Sequence, residues 1–159
     1  MAQTTGAISV AGYKVEVSTD GASWTDISGQ AATVSPDGGD IKVGSQHTAE
    51  GSQAVVVTSN KQEPITLNVK ALYTEVTGEA WKVVDAIYRG DDKRLYLRYS
   101  PAGGNAGDLR FVTAVNGAAA AVPLVSCLPP DVDAGGEDPA MFEFSVMTPG
   151  LLSESVPEA

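Results

Sequence analysis

A chain of 159 residues with 43% apolar side chains is long enough to build one real hydrophobic core and too short for two comfortable ones. Acids outnumber bases 20 to 10, for a net charge of −10. That balance excludes a protein that grips nucleic acid, because affinity for phosphates comes from Lys and Arg displacing counterions. The single cysteine, Cys127, excludes an internal disulfide framework and reads as a small buried apolar residue. No apolar run approaches the length needed to span a bilayer. The opening MAQTTGAISVAG has neither a basic n-region nor a continuous apolar h-region, so no secretory signal is expected.

Along the chain, Tyr13, Val15 and Val17 alternate with Lys14, Glu16 and Ser18, the period of a half-buried strand. The Asp20-Gly21 step then signals a hairpin into residues 23–28. Residues 31–34 read as a further strand, ended by Pro36, which cannot donate to a ladder. The stretch 36–52, PDGGDIKVGSQHTAEGS, contains Pro36, Gly38, Gly39, Gly44 and Gly51, and only Ile41 and Val43 alternate. A connection this long without firm structure is usually functional or disordered. It is read here as an extended arm that becomes ordered against a neighbour.

Residues 54–58 and 65–73 follow as strands, with SNKQEP as the turn between them. Ile65, Leu67, Val69, Ala71 and Tyr73 share one face, and Thr66, Asn68 and Lys70 the other. Residues 77–89, TGEAWKVVDAIYR, form the one helix: Trp81, Val84 and Ile87 or Tyr88 recur at helical spacing. Thr77 is placed to cap its start, Glu79 suits the positive end of the dipole, and Gly90 stops it. Leu95, Leu97 and Tyr99 then alternate against Arg94, Tyr96 and Arg98. After the loop PAGGNAGD, Leu109, Phe111, Thr113 and Val115 resume the pattern. Asn116-Gly117 signals a turn before residues 118–128, where Pro123 argues for an edge or a bulge. Phe142, Phe144 and Val146 form the last clear strand, and the tail LLSESVPEA is placed to add a short edge strand.

The fold class expected is mainly β: an antiparallel sandwich or barrel of about eight to ten strands with one flanking α-helix. It forms a single domain over 1–159, with a long loop at about 36–52 and a short C-terminal tail at about 149–159. A lone helix with one apolar stripe is a cover for a sheet.

Reactive chemistry is poorly supplied. His47, the only histidine, falls in the Gly-rich stretch, whereas a catalytic triad needs a held imidazole. One His and one Cys supply no zinc set. In DVDAGGEDPAMFE, Asp131, Asp133 and Gly136 match the first, third and sixth positions of a calcium loop. Phe142 stands where the twelfth position needs Glu, and no helices flank it. Gly103, Gly104 and Gly107 lack the Lys-Ser/Thr of a phosphate cradle. Trp24, Trp81, Tyr96 and Tyr99 offer a sugar-stacking platform, yet their phases place most of them in the core. No enzyme, cofactor or metal is expected.

Bases end at Arg110. Beyond it stand Asp131, Asp133, Glu137, Asp138, Glu143, Glu154 and Glu158 alone. The strand into LYTE, the helix GEAWKVVDAIYRG, the strand LYLRYSPAGG, then LRF and the terminal DPAMFEFSVMTPG together resemble the tail tube (major tail) proteins of long-tailed bacteriophages. The resemblance implies a structural virion protein of the tail, assembled in the host cytoplasm without a membrane partner. Hexameric rings would stack into a tube, with DNA passing through without specific binding. Its partners would be copies of itself and other tail proteins such as the tape measure, terminator and baseplate. The inter-ring arm would be drawn from Pro36, Asp37, Gly38, Gly39, Asp40, Lys42, Gln46 and His47. Channel-lining acids would come from Asp40, Glu50, Glu63 and Glu143, whose charge repels phosphates. The alternative is a carbohydrate-binding or decoration β-sandwich module of a virion.

Overall fold

The structure is a computed structural model that describes residues 2–158. In chain order its elements are β1 (Lys14–Ser18), β2 (Thr25–Asp26), β3 (Ala31–Gly38), β4 (Ile41–Gln46), β5 (Val55–Gln62), β6 (Ile65–Leu72), α1 (Ala80–Arg89), β7 (Arg94–Ser100), β8 (Leu109–Val115), β9 (Ala118–Ala119), β10 (Val122–Leu128), β11 (Met141–Thr148) and β12 (Gly150–Ser155). The strand order is β12-β8-β7-β10-β11-β6-β3, with β1 on β7, β2 on β1 and β9 on β8, while β4 and β5 pair only with each other.

The long path bends where β10 meets β7. That contact is confined to Val122↔Leu95 and Pro123↔Arg94. Two leaves result: β3-β6-β11-β10 on one side, and β1, β7, β8 and β12 on the other. They enclose one core, with Leu67, Val69, Phe142, Phe144 and Val146 from the first leaf against Val15, Val17, Leu95 and Leu97 from the second. Period-two alternation puts these residues inside: β11 reads buried at Phe142, Phe144, Val146 and Thr148 and more open at the residues between. The helix covers one side. Ala80, Trp81 and Val84 are buried, and the Trp81 ring lies 5.1 Å from Phe142, edge to face.

The helix begins later than its spacing suggests. Gly78 sits at φ 89°, in the left-handed region, so no helical turn can run back to Thr77. The N-cap is Glu79, whose side chain makes no capping bond. Its carboxylate instead accepts the Thr74 hydroxyl, and the first helical N–H, of Ala80, donates to Gln30 Oε1 at 3.4 Å.

The stretch 36–52 also differs from a structureless connection. β3 runs on through Pro36, because β3 is the last strand of its leaf and an edge tolerates a missing N–H. Gly38 (φ 87°) and Gly39 (φ 78°) then turn the chain into β4. A Cβ at Gly38 would lie 2.6 Å from the Pro64 carbonyl oxygen, so only glycine fits there. β5 likewise continues past Ser59, with Asn60 in the left-handed region at φ 59°. Asn is among the few residues that tolerate it. The result is a two-stranded hairpin growing directly out of β3 and β6.

Pro123 falls at the start of β10, which carries a register shift between Leu124 and Ser126. The C-terminal tail forms β12 at the outer end of the second leaf, paired with β8 from Gly150↔Ala114 to Ser155↔Leu109.

Thr148 ties the two leaves at their end. Its buried hydroxyl donates to the Gly150 carbonyl at 2.6 Å and accepts the Ala114 N–H at 3.3 Å. Thr148→Val keeps the volume but leaves these groups without a partner. It is expected to cost about 1–3 kcal/mol, seen as a lower urea midpoint at unchanged slope.

Candidate assembly surfaces

Three exposed features stand out once the core is accounted for. The first is the outward face of β3-β6-β11-β10. The cross-strand register lines up Asp37, Thr66 and Met147, then Ser35, Asn68 and Ser145, then Thr33, Lys70 and Glu143. The Ser145 hydroxyl donates to Asn68 Oδ1 at 2.6 Å. Apart from Met147 these rows carry hydroxyls, an amide and a few charges, and Lys70 sits directly between Thr33 and Glu143. One leaf face is thus core and the other is mostly polar, with Met147 and, beside Glu143 on β10, Leu128 as exposed apolar side chains on it.

The second feature is the pair of open edges on that leaf. β3 has a partner on one side only, and beyond Leu124, whose N–H donates to the Lys93 carbonyl at 2.8 Å, β10 pairs with β11 alone. The shift between Leu124 and Ser126 makes Val125 the extra residue of a bulge, and its side chain is 51% exposed.

The third feature is the β4–β5 hairpin. Val43 opposes Thr58, Gly44 opposes Val57, Ser45 opposes Val56 and Gln46 opposes Val55. Facing residues share a side, so Val43 and Val56 lie on one face and Val55 and Val57 on the other. Val43 (66%), Val56 (64%), Val57 (62%) and Val55 (55%) are all exposed. The root is pinned by polar contacts: Lys42 Nζ lies 3.0 Å from Glu63 Oε1, Gln62 Nε2 donates to the Gly39 carbonyl at 3.0 Å, and the Glu63 N–H donates to the Asp40 carbonyl at 2.9 Å.

The residues singled out from the sequence distribute as follows. Pro36, Asp37 and Gly38 end β3, Gly39 and Asp40 make the turn, Lys42 and Gln46 lie on β4, and His47 follows it. Asp40, Lys42 and Glu63 come together at the hairpin root. Glu50 lies in the loop between β4 and β5, and Glu143 stands apart, exposed on the polar face. The valine triplet 55–57 is a surface whose signal in the sequence is its adjacency: three neighbouring valines in an extended segment must expose at least one apolar side chain to each face.

Elsewhere the chemistry is quiet. Cys127 is buried, and burial pushes its thiol up to about 11, far from a reactive thiolate. Arg98 lies on the second leaf, 2.5 Å from Glu16 and 3.8 Å above the Trp24 ring, which half-buries Trp24 rather than offering it as a platform. Residues 131–140 are exposed throughout, and the Asp133 carboxylate accepts the Gly135 N–H at 3.0 Å as an ordinary turn contact. Among the described residues no three His, Cys, Asp or Glu side chains gather as metal ligands, and no helix is long and apolar enough to cross a membrane.

No protein-family model matches this sequence, and no curated protein does. Solved structures do. A chain of the PVC sheath–tube complex of an extracellular contractile injection system, in its extended state, superposes with a TM-score of 0.63 at 16% identity, covering 96% of this chain and 94% of that one. A chain of the anti-feeding prophage baseplate gives 0.64 at 10% identity, with 98% and 99% covered. The tail of an empty GTA particle gives 0.59 at 7% identity, with 97% and 98% covered. The fold is tail-tube-like. Coverage is nearly complete in both directions, so the tail-tube-like fold accounts for the leaves, the helix and the hairpin together. The solved structures are parts of phage-tail-like particles, contractile injection systems among them, rather than of long-tailed phages in particular.

Proposed function

We propose that this chain is the tube subunit of a phage-tail-like particle, a structural protein without catalytic activity. The observation that carries the reading is the four-stranded leaf with a mostly polar outer face and both edges open. A sandwich that stays alone blunts or covers such edges. Copies that meet edge to edge remove them, and a heterologous contact of this kind closes into a ring when the rotation permits. Following the antiparallel pairings from β3 through β6 and β11 to β10, β3 runs opposite to β10. Joining β3 of one copy to β10 of the next therefore extends the same antiparallel ladder.

In this reading six copies close into a ring, and the polar face turns inward to line a channel. The β4–β5 hairpin reaches the next ring, where its valines lose their water. A tape measure, a terminator and a baseplate are the partners such a tube requires. DNA is the cargo that the wall suits. Thr33, Ser35, Thr66, Asn68 and Ser145 offer hydroxyls and an amide, while Lys70 is held between Thr33 and Glu143. A phosphate backbone thus meets no run of bases at which to stall.

Purified protein, concentrated and imaged by negative stain, is expected to show six-fold rings or hollow tubes. Light scattering that finds only monomer at high concentration, with no tube under any salt or pH, overturns the reading.

A further inference from the structure

On the face of the second leaf turned away from the core, Lys14, Arg98 and Arg110 converge. Arg98 on β7 opposes Glu16 on β1, and Arg110 on β8 opposes Glu154 on β12. With Glu16, Ser100 and Gly104 the three bases line a cavity of about 50 Å³, room for a few waters or the head of one carboxylate. The Arg98 and Arg110 side chains are only 16% and 17% exposed. Their charges are therefore partly withdrawn from water, which strengthens any hydrogen bond they make.

Each base is held in place. Arg98 Nε donates to Glu16 Oε2 at 2.5 Å, and its guanidinium lies 3.8 Å over the Trp24 ring. Arg110 Nε donates to Glu154 Oε1 at 2.7 Å. Lys14 Nζ lies 3.1 Å from Glu16 Oε1. Its stem packs on Gly104, at φ 79°, where a Cβ would come within 2.9 Å of Lys14 Cδ.

Donors are left over at this site. A guanidinium carries five N–H donors and an ammonium three, yet each arginine donates only through Nε among the described residues. Both Glu16 oxygens are already taken, by Lys14 and Arg98. The Ser100 hydroxyl is spent as well, donating to the Leu109 carbonyl at 2.8 Å and accepting the Gly104 N–H at 3.1 Å. A cation entering here meets three bases against one lining acid. A carboxylate, whose two oxygens match a guanidinium fork, meets the unspent donors.

We infer that this cavity is a carboxylate-binding site, with Arg98, Arg110 and Lys14 as its donors. It lies on the leaf that the proposed ring contact leaves free, so it stands or falls independently of the tube reading. The carboxylate belongs either to a free small molecule or to an acidic side chain of a docked protein.

Titration of the full chain with glutarate, and separately with a capped Gly-Glu-Gly peptide, tests this against sodium chloride at matched ionic strength. Tryptophan fluorescence is the readout, since Trp24 lies beneath Arg98. A saturable change that chloride does not produce is expected. Saturation by glutarate alone assigns a free ligand, and saturation by the peptide assigns a docked side chain. Arg110→Gln and Lys14→Gln are each expected to weaken binding about 10-fold, the scale of one charge-assisted hydrogen bond. Lys82→Gln, at an exposed base on the helix, leaves it unchanged, and circular dichroism checks that every variant is folded. A wild-type response no different from that to chloride overturns the site, as does wild-type affinity in both Arg110→Gln and Lys14→Gln.

Discussion

Phe144→Ala is expected to cost about 3–5 kcal/mol of folding stability, enough to leave a domain of ordinary stability partly unfolded at 37 °C. Phe144 has no exposed surface and sits near the middle of β11, opposite Val69 on β6 and Cys127 on β10. Its ring stacks on Phe142 at 5.9 Å with an interplanar angle of 21°, and Phe142 in turn meets Trp81 of α1. Truncation therefore opens a cavity where both neighbouring strands and the helix-capped aromatic cluster converge. Strands on both sides hold the site apart, so little collapse can offset the lost contacts. Urea unfolding followed by tryptophan fluorescence measures it. A loss below about 1 kcal/mol would mean that the leaf repacks around the gap and that the aromatic cluster is not the centre of the core.

The second large effect falls on assembly and spares the fold. Val56→Asp and Val57→Asp place a charge on opposite faces of the β4–β5 hairpin. Both side chains are exposed in the subunit, so each change should move its own stability by no more than about 0.5 kcal/mol. A hairpin of two strands is marginal in water by itself, and four valines facing solvent on both faces are an unfavourable surface for a free subunit. In the stacked tube proposed above those faces would be covered, and a buried carboxylate without a partner is strongly penalised. Rings are expected to persist in each variant while tubes longer than a few rings disappear. Tubes of wild-type length in both variants would show that the hairpin takes no part in stacking. Loss in one variant alone would show that only that face is covered.

Much of the fold is legible from residue order. Leu67, Val69 and Ala71 declare a half-buried strand through their period of two, Trp81 and Val84 declare a covered helix, and Asn116-Gly117 marks its turn. The tail LLSESVPEA, expected to add a short edge strand, lies in and beyond β12. The hairpin is not legible in this way, because inside–outside contrast is the signal and a hairpin exposed on both faces has none. Capping chemistry, which is local, points to Thr77 as the helix start, and the left-handed Gly78 rules that start out. Of the candidate site, Glu143 could be placed on a strand face from alternation alone. The gathering of Asp40, Lys42 and Glu63 could not.

Residue order by itself determined which side chains turn inward along each strand and where the turns fall. Those features depend on spacing within a few residues, and backbone geometry sets that spacing locally. Only the tertiary structure decided that β3 and β10 end up as the two open borders of one leaf, with a bulged valine at one of them. Strand partners are chosen by burial among segments far apart in the chain, as when β6 takes β3 on one side and β11 on the other. No local pattern records which edge is left over.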